Sequence, residues 1–221
     1  VLVVVADISL KNGRQDIQFQ YRHNSPNNAR INPSVTNIID IFVVVESYHD
    51  AYKKYTQDTT GTIVAPIEPT ISELTTLYKT LHDHKMLSDN IVLNSVKFKS
   101  LFGSKSEDGL QADISVVKEK NSLVSGTEIK SRMVSHINEY FDIGNWDFGD
   151  TFYFSELSAY LHDKMGDIIG TVVLVPRDSN KTFGDLYEIG SASNEIFTSS
   201  ATVDDIKVIN SLTSSNLNGI A

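Results

Sequence analysis

Apolar residues recur every four positions through Ser125–Asp142, where Ile129, Met133, Ile137 and Phe141 form a continuous stripe. That period predicts a helix with one face on a core. Ser125 and Glu128 have the spacing of a capping box, in which a hydroxyl and a carboxylate satisfy the free N–H groups of the first turn. A second helix is expected from a cap at Ser155 to Met165, with Leu157, Leu161 and Met165 on one side and Gly166 as a left-handed terminator. Ile168–Val175 then reads as a central strand closed by Pro176. Gly126–Pro176 is thus a helix–loop–helix–strand module whose loop is dense in aromatics and glycines.

Upstream, Val1–Leu10 and Asp16–Tyr21 flank an Asn12–Gly13 hairpin signal. Residues 22–34 are polar, hold two prolines and read as a surface loop. Val35–Val45 is rich in β-branched residues and predicts a buried strand. Glu46–Asp58 carries Tyr48, Tyr52 and Tyr55 at helical spacing. After the Gly/Pro connector Thr59–Pro69, a helix is expected over 70–86. It opens with a Thr70/Glu73 capping box and presents Leu74, Leu77, Tyr78 and Leu81. Ile91–Phe102 and Leu110–Lys118 read as strands around a flexible Gly103–Gly109 turn. Leu186–Ser193 pairs with Glu195–Thr198 around Asn194 in this reading, and Ile206–Ile209 is a last short strand.

From residue 91 the order is β-β-α-α-β-β, which predicts an α+β fold: a mixed or antiparallel sheet covered by amphipathic helices. The expected division is a smaller N-terminal β-rich subdomain, residues 1–60, and a C-terminal α+β domain, 61–221, with a poorly ordered tail after about 210.

Composition narrows the function classes. The 221 residues carry a formal net charge of −9, and no basic cluster offers the concentrated positive face that phosphate binding needs; nucleic acid is therefore not expected as a partner. Val1–Leu10 is too short to span a bilayer and lacks the basic flank of a signal peptide, so no membrane association is expected. A start without Met, inside a strand-like run, predicts missing N-terminal sequence. The absence of cysteine excludes disulfides, thiolate metal sites and cysteine nucleophiles.

Candidate chemistry is sparse. His82 and His84 lie two apart, so on a helix they point in different directions and do not converge on one metal. His136 and His162 border the apolar stripes, and His23 and His49 lack partners at informative spacing. Asp147 and Asp150 are the most tempting carboxylate pair, flanking Phe148–Gly149 beside Trp146; turn capping is the competing role. Asp204–Asp205 is weaker. Gly103–Ser106 lacks the full frame of a phosphate loop, and Gly144–Gly149 places Asp150 where a lysine belongs. Trp146, Phe148, Phe152, Tyr153 and Phe154 could stack bases, but interleaved acids favour core packing or a protein interface. No cofactor or metal site is expected, and no enzyme signature survives.

The segments INEYFD (137–142), FGDTFYFSEL (148–157) and KMGDIIGTVVLVP (164–176) resemble the baseplate J-like family of contractile tails. NPSVTNIIDIFVV (32–44) and NIVLNSVKFKSLFG (90–103) resemble the C-terminal half of the large wedge subunit of T4-like phage baseplates. The resemblance covers most of residues 30–198. It implies a scaffold that homodimerises, ties neighbouring wedges into a ring around the tail hub and follows the change of shape on host attachment. Its implied partners are itself and other wedge proteins. Its implied location is the virion tail baseplate, with assembly in the host cytoplasm. Tyr48, Tyr52 and Tyr55 are the expected dimer surface, because tyrosine buries apolar area while keeping a polar handle; packing of the stripe on the chain's own sheet is the competing role. Two readings of other classes stand beside it: a glycan-processing hydrolase using Asp147 and Asp150 with Glu156, and a carbohydrate-binding module using the Trp146 loop.

Overall fold

Small sheets, rather than one continuous layer, carry the α+β architecture of this chain. The computed structural model describes residues 20–23, 37–79, 90–178, 180, 182–183 and 187–209. The N-terminal hairpin before residue 20, the second half of the helix expected over 70–86 with His82 and His84, and the tail after 209 lie outside the described residues.

In order, the elements are β1 (Gln20–His23), β2 (Asn37–Val43), α1 (Glu46–Thr56), α2 (Ile71–Leu77), β3 (Asn90–Ser95), β4 (Lys97–Leu101), β5 (Ala112–Lys118) and α3 (Gly126–Tyr140). These are followed by β6 (Thr151–Tyr153), α4 (Phe154–Met165), β7 (Ile169–Pro176), β8 (Glu188–Gly190), β9 (Glu195–Ser199) and β10 (Ile206–Ile209).

The chain divides into two compact units. The first comprises the described residues of Val1–Tyr55 and Ile63–Lys97; the second comprises those of Thr56–Thr62 and Phe98–Ala221. The division expected after residue 60 is therefore displaced to about residue 97. The reason is long-range: β2 pairs in parallel with β3 from Ile38↔Asn90 to Val43↔Ser95, binding residues 90–95 to the N-terminal strands. The single strand expected over 91–102 is broken at buried Val96, whose N–H donates to the Val43 carbonyl at 3.2 Å.

In the first unit Ile41, Val43, Val45, Leu74, Tyr78 and Leu93 form the core, with Tyr48 packed against it. The Thr70/Glu73 box closes both ways: Thr70 N–H donates to Glu73 Oε2 at 2.8 Å, and Glu73 N–H donates to Thr70 Oγ1 at 3.3 Å. The Thr70 N–H and then the Thr70 hydroxyl, each donating to Glu73 Oε2 at 2.8 Å, hold the Glu73 carboxyl below its ordinary range.

In the second unit β5 is central, parallel to β10 and antiparallel to β7. Its inward residues Ala112, Ile114 and Val116 are buried together with Val172 of β7 and Ile206 of β10. α3 packs on α4 and β10, and α4 packs on β7. The four-residue stripe behaves as expected: Ile129, Met133, Ile137 and Phe141 are all buried, as are Leu157, Leu161 and Met165.

Four local expectations are corrected. Ser125 Oγ accepts the Glu128 N–H at 3.2 Å, but the Glu128 carboxylate pairs with Arg132 one turn on, so only half the box forms. Ser155 lies inside α4; Tyr153 holds the cap position, and the Phe154 N–H instead donates to the Tyr187 carbonyl at 3.2 Å. Gly166 is right-handed (φ −55°), and a side chain there would meet the His162 carbonyl oxygen at 2.8 Å. The hairpin around Asn194 does not form, because β8 pairs with β6 and β9 with β4.

Candidate functional site

The aromatic turn is where sequence chemistry concentrated, and the fold turns it inward. Trp146 is 7% exposed and its Nε1–H donates to the Tyr140 carbonyl at 3.0 Å, capping the end of α3. Its ring stacks on Phe141 (centroids 5.4 Å) and meets Phe197 edge-on (5.0 Å). Phe152 lies 5.2 Å from Phe141 and 4.9 Å from Phe154, and Phe102 meets Phe141, Phe152 and Phe154 edge-on. Such edge and offset arrangements add to the area burial of each ring. The aromatic set for which the sequence favours core packing or a protein interface over base stacking is core here, apart from Tyr153, which is exposed, and half-buried Phe148.

The two acids beside it are turn elements. Asp150 Oδ2 accepts the Asp147 N–H at 2.6 Å, and the Asp150 carbonyl accepts from both Ser191 N–H and Ser191 Oγ, each at 2.9 Å. Gly149 between them has φ +78°, a left-handed position that favours glycine. Asp150 is thus engaged in closing the loop, while the Asp147 side chain is exposed. Glu156 accepts a hydrogen bond from the Tyr140 hydroxyl; burial first, then the Glu156 charge and this bond, pushes that phenol up to about 12.

The turn expected to be flexible, Gly103–Gly109, begins in the core. Phe102 is fully buried with φ +81°, a strained position for a bulky residue. It is held by Phe102 N–H to the Leu110 carbonyl and by Ala112 N–H to the Phe102 carbonyl, both at 2.9 Å. The Gly103 N–H donates to Ser200 Oγ at 3.0 Å, and Ser106 Oγ lies 2.7 Å from Ser200 Oγ. These buried serines join three chain segments and have no histidine or carboxylate within the group.

Two charged networks escaped sequence reasoning. Glu139 binds His136 Nδ1 at 3.1 Å and Lys164 Nζ at 3.2 Å, and these bonds hold its carboxyl below the ordinary range. The His136–Glu139 spacing was readable on one helix; Lys164 arrives from α4. Arg177 Nε donates to Asp113 Oδ1 at 3.1 Å, and its NH2 group pairs with Asp205, which is buried and also accepts the Thr202 N–H and hydroxyl. This pairing lines an open recess of about 380 Å³ with Asp58, Thr59, Ser104 and Asp204. Among the described residues, no group of three or more histidines and carboxylates is arranged to hold a metal ion.

The tyrosines stand in one row on α1. Tyr48 and Tyr52 are 6.4 Å apart and Tyr52 and Tyr55 6.2 Å, all half-buried. Burial first, then the Glu68 charge, raises the Tyr48 phenol, in keeping with its packing on the core. The residues that sequence reasoning passed over lie in the connector after Gly61. Val64 is 85% and Ile67 91% exposed, and Ile71 and Leu77 on α2 are each more than half exposed. The signal was the apolar run 63–67, between Gly61 and Pro69, which its Pro/Gly flanks disguised as a linker. Comparison of the sequence with models of known protein families found no match, and comparison with curated proteins found none either.

Proposed function

We propose that this chain is a structural component of a contractile phage tail baseplate. In this reading it homodimerises through the first unit, links neighbouring wedge proteins into a ring around the hub and follows the rearrangement on host attachment. It sits in the virion baseplate and assembles in the host cytoplasm. The resemblance over 32–44, 90–103 and 137–176 supports the family, and α3, the aromatic turn, α4 and β7 follow one another in the order that it implies.

One observation carries the assembly role. Polar groups of the aromatic turn are engaged within the fold, whereas Val64, Ile67, Ile71 and Leu77 are exposed in the same unit as α1 with its three tyrosines. Exposed large apolar side chains concentrated in one stretch of chain, here 64–77, point to an interaction surface, and tyrosine is enriched at such surfaces. The hydrolase and carbohydrate-binding alternatives lack comparable support, since Trp146 is buried and the Asp150 carboxylate closes its own loop.

Light scattering tests the reading. The chain of 24.5 kDa is expected to run at twice that mass. A durable dimer buries on the order of 1,600 Å², and an isologous contact feels one substitution twice. Tyr52→Asp should halve the mass with circular dichroism unchanged. A wild type that stays monomeric at high concentration overturns the reading; a dimeric Tyr52→Asp protein moves the interface off α1.

A further inference from the structure

We draw no further inference here: the strongest candidate, the open recess beside Arg177 lined by Asp58, Asp113, Asp204 and Asp205, is a cluster of acids already engaged within the fold, Asp58 by Thr60 and both Asp113 and Asp205 by Arg177, and nothing among the described residues points to a ligand for it.

Discussion

The indole of Trp146 lies 8° from parallel to the ring of Phe141, with centroids 5.4 Å apart, while its N–H caps the Tyr140 carbonyl. One side chain thus closes the end of α3 and fills the centre of the aromatic core. It is also the only tryptophan, so its fluorescence reports on the second unit alone.

Trp146→Ala should therefore destabilise that unit by about 3–5 kcal/mol, the range for deleting a large buried aromatic. Trp146→Phe keeps much of the packing and leaves the Tyr140 carbonyl only the longer bond from Asn145 Nδ2 at 3.4 Å, a loss of about 1 kcal/mol. Denaturant unfolding followed by far-ultraviolet circular dichroism measures both. A wild-type emission maximum at long wavelength would contradict the burial of Trp146.

Gly103 faces the Ser200 backbone. A methyl group at Gly103 would sit 1.8 Å from the Ser200 carbonyl oxygen, which no rotamer change relieves. Gly103→Ala is expected to cost more than about 3 kcal/mol, beyond the ordinary range for a point substitution. Ser200→Ala in the same chain should not restore it, because the obstacle is main chain. Midpoints of thermal or urea unfolding for the single and double variants decide this; rescue by Ser200→Ala would be against it.

The Tyr140 phenol gives a signature at high pH. Its folded value of about 12 lies above the ordinary value of 10, so the folded state holds this proton more tightly than the unfolded chain. The resulting stabilisation is whole below about pH 10 and is lost as pH rises through about 12. Tyr48, Tyr78 and Tyr160 are raised as well, so the comparison needs Tyr140→Phe as reference. The stability difference between wild type and Tyr140→Phe should shrink between pH 10 and 12. A difference constant across that interval would refute the burial and Glu156 bond assigned to Tyr140.

By itself the sequence determined the features that one helix or turn can encode. The spacing of Ile129, Met133, Ile137 and Phe141 specifies a buried face wherever that helix docks, and the Thr70/Glu73 box needs only its own turn. Tertiary structure decided what depends on distant partners. Ser155 loses the cap position to Tyr153 because β6 leads straight into α4, and the Phe154 N–H finds the Tyr187 carbonyl. Residues 90–95 join β2 because β2 offers a parallel edge some fifty positions away, which local composition cannot report. Trp146, Asp147 and Asp150 look alike as loop residues in the sequence. Only the arrival of Phe197 and Ser191 makes one of them core and another the closure of a turn. The solvent exposure of Val64 and Ile67 is likewise a tertiary outcome: hydrophobicity along the chain states a need for burial, and only the fold decides which side chains remain available to a partner.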